Sequence, residues 1–186
     1  PVVSINGNLR LEQNPGMRYT PQLVKSLLYA VTYGDLFMRL SNAVRPYERI
    51  AGSTQKLYAH WNEIARANVI DRNERIFERN VREIVAAFDA LEIDEELRKP
   101  KVGVVGEILV KFHPDANNNI VGIIEQEGGE AVVPDLLDFI FYALKNKEIN
   151  VANLQRSQWQ RRLGRLGIGL LCHVRKPGEE ALRASR

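Results

Sequence analysis

The stretch Lys101-Val102-Gly103-Val104-Val105-Gly106 is the part of the sequence that decides the fold class. It is a run of β-branched residues interrupted only by glycine, which is typical of a parallel-sheet strand buried on both faces. Asn117–Glu127 has helical character, and Gly128-Gly129 would end this helix through a left-handed C-cap. Glu130–Val133 is a second short strand. A strand, a helix and a strand with short connections indicate a right-handed βαβ crossover.

A further helix follows the second strand. Asp135 has the position of an N-cap residue for the apolar segment Leu136–Leu144, and Asp138 lies three residues further on. The sequence therefore predicts an α/β fold in which a small parallel sheet is flanked by helices, with flavodoxin- or Rossmann-like layering.

Upstream of the sheet, the sequence predicts a helical subdomain. Thr20-Pro21 is typical of an N-cap followed by proline at the first helical position, and this helix should extend to about Val44. A second helix should begin near Ser53. A third should begin at Asp71, where Glu74 completes the spacing of a capping box. Its apolar residues recur at helical spacing: Phe77, Val81, Ile84, Val85, Phe88 and Leu91.

The two ends of the chain differ from this middle part. At the N-terminal end, Val2–Ile5 is short and β-branched, which predicts a strand. At the C-terminal end, the sequence predicts a long helix from about Asn150 to Val174 and a short helix near Gly178–Ala184. We thus divide the chain into a first strand and loop (1–19), a helical subdomain (20–99), a βαβα unit (100–148) and basic C-terminal helices (149–186). Because Pro1 leads directly into an apolar run, we expect the chain to be an excised piece of a longer protein.

Composition excludes several classes of protein. The chain has 186 residues and one cysteine, Cys172, so it can form no internal disulfide and cannot alone hold an iron–sulfur cluster or a structural zinc. Cys172 and His173 are adjacent and lack metal-ligand spacing, so we expect no metal site in this chain. No segment reaches the roughly 18 apolar residues of a membrane span, and a cytoplasmic protein is expected.

Positive charge is concentrated at the C-terminal end. The formal net charge is +3, and residues 149–186 hold eight lysines and arginines against two glutamates. Such a segment can attract the phosphates of nucleic acids or of coenzyme A. It can equally be a solvated helix face, or a surface that meets an acidic partner. The charge pattern leaves these alternatives open.

The carboxyl ends of the predicted strands are where a ligand would bind in an open parallel sheet. Asn6, Glu107 and Asp135 follow these strands, and Gly106 would let backbone approach a ligand beside the Glu107 carboxylate. Glu107 could instead only satisfy nearby backbone N–H groups, and Asp135 could only cap a helix. In the polar loop that follows, Lys111 could pair with phosphate and His113 could act as an acid or base.

Several stretches together resemble one family. They are Gly103–Pro114 with the following Ala116-Asn117-Asn118, Gly34-Asp35-Leu36, Arg45-Pro46-Tyr47-Glu48, and Val132-Val133-Pro134-Asp135 after a glycine pair. Together they are similar to the large activator-related proteins of the 2-hydroxyglutaryl-CoA dehydratase family, in the region like the dehydratase D-component. The resemblance covers nearly the whole chain, and Gly-Glu-Ile-Leu-Val-Lys is its most specific string.

The resemblance implies part of an oxygen-sensitive iron–sulfur system of anaerobic metabolism. In that family, an ATP-driven activator passes an electron to a component that holds a 4Fe–4S cluster and removes water from a 2-hydroxyacyl-CoA. This chain departs from the family pattern, because it has one cysteine and no phosphate-binding ATPase motif. We therefore expect a scaffold that is inactive alone and takes up less than one cluster per chain, with Glu107 and His113 lining a cleft.

The partners implied are the remaining domains of the same polypeptide and acyl-CoA, with Asn6, Gly106, Lys111 and Asp135 as candidate binding residues. The alternative function is a non-catalytic binding module whose basic helix docks nucleic acid or another domain. Trp159 is the one aromatic residue of the tail that could stack on a base, so base stacking has little support. A hydrolase that uses Glu107 and His113 would need a nucleophile, and none can be assigned.

Overall fold

A computed structural model describes residues 20–153 and 158–185, and these residues are mostly helical. The helices are α1 (Pro21–Val44), α2 (Ser53–Asp71), α3 (Glu74–Asp89), α4 (Ile108–Phe112), α5 (Ile120–Gln126), α6 (Leu136–Asn153) and α7 (Gln158–Ala184). Two strands, β1 (Lys101–Gly103) and β2 (Glu130–Val132), form a parallel sheet, and 3-10 turns lie at Arg45–Tyr47 and Pro114–Ala116. The strand predicted at Val2–Ile5 lies outside the described residues.

The ends of the first three helices are set by side-chain caps. The Thr20 hydroxyl accepts the Leu23 N–H, as the sequence predicts. The third helix begins at Glu74 and not at Asp71, because the Asn73 side chain caps it by accepting the Ile76 N–H while Arg72 takes a left-handed conformation. Glu48 holds the start of α2 by accepting the N–H groups of Gly52 and Thr54.

The main core lies where α1, α2, α3 and α7 meet. The predicted stripe on α3 is confirmed, since every residue of it from Phe77 to Phe88 is buried and Leu91 packs against the same cluster. The Phe77 ring stacks on Tyr29 with ring centroids 4.0 Å apart and meets the edge of Tyr33 at 5.1 Å. Burial of these large rings contributes to the apolar contact between α1 and α3.

The sheet is parallel, with Lys101 opposite Glu130 and Gly103 opposite Val132. The predicted small parallel sheet is thus present, and an α/β class is loosely compatible with described residues that are mostly helical. Flavodoxin-like layering is not supported, because the sheet has two strands in the described part of the chain. The sequence predicted a strand over Lys101–Gly106 that is buried on both faces. The observed strand is shorter than this and is exposed. Its ladder ends at Gly103 and all three β1 residues are exposed, since only β2 lies beside them among the described residues.

The crossover between the strands is compact. Helix α5 begins at Ile120, later than predicted, because Asn118 and Asn119 take left-handed conformations. Gly128 ends the crossover helix at a φ of +84°, which confirms the predicted left-handed cap. A second core cluster lies beneath the sheet and comprises Val104, Ile124, Ala131 and Val133.

The C-terminal helices are longer than predicted. Helix α6 continues to Asn153, and α7 is one helix that includes Pro177, where two helices were expected. Packing holds α7 together across the proline, because Val174 belongs to the main core and Gly178 lies against Val81. No helix within residues 20–153 and 158–185 is long and apolar enough to cross a bilayer.

Candidate functional site

An open groove with a volume of about 800 Å³ lies between α1 and α2. One face of α1 lines it from Ala30 to Arg45, a distance of about 22 Å at 1.5 Å per residue. Its apolar floor includes Tyr33, Phe37, Tyr58 and Ala65. The volume lies within the range of small-molecule sites. We call this cavity the α1–α2 groove.

A buried polar network holds the floor of the groove. The Tyr33 hydroxyl donates to Asn68 Oδ1 at 2.9 Å and accepts from Asn80 Nδ2 at 3.3 Å. Burial raises the pKa of Tyr33 to about 12, so this hydroxyl stays protonated at neutral pH. The network joins α1, α2 and α3 and fixes the Tyr33 ring in the wall of the groove.

One end of the groove is formed by Arg45, Phe112 and Pro114. Arg45 makes a bidentate ion pair with Glu125 on α5, with the shortest contact at 2.6 Å, and thereby ties α1 to the crossover helix. The Lys111 ammonium lies 5.2 Å from the centre of the Phe112 ring. Arg45 and Arg66 line the groove, and no aspartate or glutamate does so among the described residues. Arg45 is paired with Glu125, and Arg66 is paired with Glu63 at 3.1 Å, so the lining carries little net positive charge.

Gly34 opens the wall of the groove. A Cβ added there would meet no heavy atom within 4 Å, so internal packing does not require a glycine at this position. Glycine inside a helix lowers stability by about 1 kcal/mol relative to alanine. Its position in the lining leaves the backbone of α1 accessible to a ligand.

The predicted acid–base pair does not line this groove. Glu107 is exposed and caps α4, where its carboxylate accepts the Leu109 N–H at 2.9 Å. His113 is exposed at the other end of the same short helix. Gly106, with a φ of +148°, precedes Glu107. The structure thus assigns Glu107 a capping role, and catalytic roles for Glu107 and His113 stay predictions.

The predicted binding residues are dispersed. Asn6 lies outside the described residues. Lys111 is half-buried beside the groove end, whereas Asp135 lies in a charged cluster between α1, α6 and α7. Asp135 pairs there with Arg39 at 3.8 Å and Arg175 at 3.3 Å. The structure brings Lys111 close to the groove and places Asp135 elsewhere.

The capping role expected of Asp135 belongs to Asp35. The carboxylate of Asp35, on α1, accepts the N–H groups of Leu136 and Leu137 at 2.8 Å each. Sequence reasoning missed this role because the two partners are more than 100 residues away along the chain. The available signal was an acidic residue in an otherwise apolar part of α1, beside Leu36 and Phe37.

Asp35 makes the stability of the fold depend on pH. Burial raises its pKa from 3.8 to about 6, against the lowering effect of the two N–H groups; Asp135 raises the pKa further and Arg175 lowers it. Since the folded chain keeps this proton to a higher pH than the unfolded chain, Asp35 contributes stability below about pH 4 that is lost as the pH rises to about 6.

We therefore expect the stability of wild type relative to the Asp35→Asn variant to fall by about 2–3 kcal/mol between pH 4 and pH 7. Urea unfolding at several pH values measures this difference, in which the other titrating groups cancel. A difference that is constant with pH would contradict the assignment.

A 4Fe–4S cluster does not fit the donor set of this chain. Such clusters are held by about four thiolates, and the sequence has only Cys172, which is exposed on α7. Within the described residues, no group of three or more His, Cys, Asp or Glu side chains could hold a metal ion. Any cluster that works with this chain needs thiolates from elsewhere.

The basic tail is partly neutralised by internal ion pairs. Arg175 pairs with Asp135, Asp138 and Glu179, and Lys176 pairs with Glu180. Arg175 ties α7 to α6 through Asp138, whereas the pairs with Glu179 and Glu180 lie within α7. All of these pairs reduce the positive charge that this part of the tail offers to a nucleic acid.

Comparisons of the chain with protein-family models, with curated proteins and with solved structures find no match.

Proposed function

We propose that the chain is the substrate-binding scaffold of a dehydratase-like iron–sulfur component of the 2-hydroxyglutaryl-CoA dehydratase type, located in the cytoplasm. In this proposal the α1–α2 groove receives an acyl thioester of coenzyme A. Another domain or polypeptide supplies the cluster thiolates and the ATPase, because this chain has one cysteine and no phosphate-binding motif. The chain alone is then a binding part and not a complete enzyme.

The observation that carries the proposal is the composition of the groove. Gly34, Arg45, Phe112 and Pro114 come from three separate stretches that resemble the family, and all four line one cavity. Aromatic and aliphatic side chains on the floor suit an acyl chain. The Lys111 ammonium beside Phe112 suits the phosphates of coenzyme A, whereas Arg45 and Arg66 are already paired with Glu125 and Glu63.

Titration calorimetry with octanoyl-CoA tests this function. Free CoA and octanoate are titrated separately as controls. We expect octanoyl-CoA to bind more tightly than free CoA or octanoate, because it uses both the apolar floor and the Lys111 ammonium. The Gly34→Leu variant should bind it at least tenfold more weakly, because the leucine side chain projects into the groove. This substitution also replaces a glycine in a helix, so the variant should be at least as thermally stable as wild type.

Gly169→Leu is the matched control. Gly169 is exposed on α7, and a Cβ there also meets nothing within 4 Å. This variant gains the same helix propensity but should bind octanoyl-CoA like wild type. Equal affinity of both variants, or no binding by wild type, would contradict the proposal. Salt-sensitive binding of duplex DNA without any binding of octanoyl-CoA would favour the nucleic-acid module instead.

A further inference from the structure

The guanidinium of Arg45 is held in a fixed orientation in the lining of the α1–α2 groove. Its Nε donates to Glu125 Oε2 at 2.8 Å, and its Nη2 donates to Glu125 Oε1 at 2.6 Å and to Asn42 Oδ1 at 3.1 Å. The Arg45 side chain is 33% exposed. The other arginine of the lining, Arg66, is 69% exposed and pairs with Glu63 of its own helix. Of the two arginines, Arg45 is therefore the one that a ligand would meet in a defined position.

The Arg45 guanidinium also keeps donors that the fold does not use. A guanidinium carries five N–H groups, one on Nε and two on each terminal nitrogen. The bonds to Glu125 and Asn42 use the N–H groups of Nε and Nη2. Within residues 20–153 and 158–185, Nη1 makes no hydrogen bond. The N–H groups of Nη1 thus remain at the end of the groove that Phe112 and Pro114 also form.

The ion pair decides which kind of acceptor suits these donors. The carboxylate of Glu125 matches the positive charge of Arg45, so an anion that approaches Nη1 is attracted by one group and repelled by the other. An uncharged carbonyl oxygen avoids this repulsion, and its two lone pairs can accept both N–H groups. The apolar side chains of Phe112 and Pro114 lower the local polarity, which strengthens such hydrogen bonds. This end of the groove therefore favours an uncharged oxygen acceptor on an apolar ligand.

We propose that Arg45 binds the carbonyl oxygen of an acyl thioester through the N–H groups of Nη1, with Glu125 as the positioning residue for this contact. The inference rests on the proposed function, which places the thioester in the α1–α2 groove. Glu125 is not part of the described lining and acts through Arg45. The acyl chain then follows the apolar floor toward Ala30, and the Lys111 ammonium beside Phe112 faces the phosphates of coenzyme A.

Titration calorimetry of the full chain with two matched ligands tests this contact. Octanoyl-CoA has the carbonyl oxygen, whereas S-octyl-CoA is the thioether with a methylene group in place of the carbonyl. The alkyl chain and the nucleotide are the same in both ligands. Wild type should bind octanoyl-CoA about tenfold more tightly than S-octyl-CoA, because the thioether cannot accept the hydrogen bonds of the guanidinium.

Paired substitutions remove the donors without leaving an unmatched charge. The double variant Arg45→Met, Glu125→Gln should bind both ligands as weakly as wild type binds S-octyl-CoA. The double variant Arg66→Met, Glu63→Gln is the matched control at the other paired arginine, and it should keep the difference between the ligands. Glu125→Gln alone leaves the charge of Arg45 unmatched, so this variant should bind octanoate more tightly than wild type does. A merely structural disturbance would weaken both thioester and thioether and leave their ratio unchanged.

The outcomes separate this inference from the proposed function. Equal binding of octanoyl-CoA and S-octyl-CoA by wild type would overturn the role of Arg45 and leave acyl-CoA binding in the groove standing. A difference between the ligands that persists in Arg45→Met, Glu125→Gln would also overturn that role. If wild type binds neither ligand, the proposed function and this inference both fail.

Discussion

The Asp35→Ala variant is expected to unfold with a free energy about 2–3 kcal/mol lower than wild type at pH 5. The Asp35 side chain is 8% exposed and accepts two N–H groups at the start of α6. Alanine would leave both donors without this acceptor, and an unsatisfied buried donor is destabilising by about 1–3 kcal/mol. Urea unfolding monitored by circular dichroism measures the difference.

The matched control for this substitution is Asp71→Ala. Asp71 is exposed at the end of α2, and a surface substitution of this kind usually changes stability by less than about 0.5 kcal/mol. In Asp35→Ala, hydrogen exchange should accelerate most at the amides of Leu136 and Leu137. If the two alanine variants were equally stable, the cap would have no energetic role.

The Phe77→Ala variant should show the largest loss of stability, about 3–5 kcal/mol. Phe77 is fully buried and packs against both Tyr29 and Tyr33, so alanine would leave a cavity between α1 and α3. Because Tyr33 is part of the floor of the α1–α2 groove, the cavity should also weaken ligand binding in this variant. Thermal and urea unfolding measure the loss of stability.

Phe139→Ala provides the comparison for the core substitution. Phe139 lies on α6 and keeps 41% of its surface exposed, so its truncation should destabilise the chain by less than about 1 kcal/mol. A loss for Phe77→Ala no larger than that for Phe139→Ala would show that the main core is not packed as described.

Local sequence signals predicted the start of α1, the buried face of α3 and the end of the crossover helix. Thr20 capped α1 as expected, the apolar stripe of α3 became the centre of the main core, and Gly128 ended the crossover helix. These features depend on residues within one or two turns of each other. Hydrogen-bond geometry and helical periodicity are therefore sufficient to identify them without any knowledge of the tertiary fold.

The remaining features depend on distant contacts. Asp35 is the one acidic residue of α1, and its role was not predicted because its partners Leu136 and Leu137 are far along the chain. Arg45 and Glu125 are separated by 80 residues in the same way. The α1–α2 groove was not predicted, because the sequence of α1 cannot show that one side of the helix stays uncovered by its neighbours. The exposure of β1 depends on which strands lie beside it, and a single strand does not encode that.

The cap that Asp35 provides has a consequence for the order of folding. A contact between α1 and the start of α6 closes a loop of about 100 residues, and the entropy lost on closure must be offset by other long-range contacts. The first turn of α6 should accordingly become ordered only after α1 has packed against the βαβ unit. During synthesis on the ribosome, Asp35 on α1 would be made about 100 residues before Leu136 and Leu137, whose N–H groups it accepts.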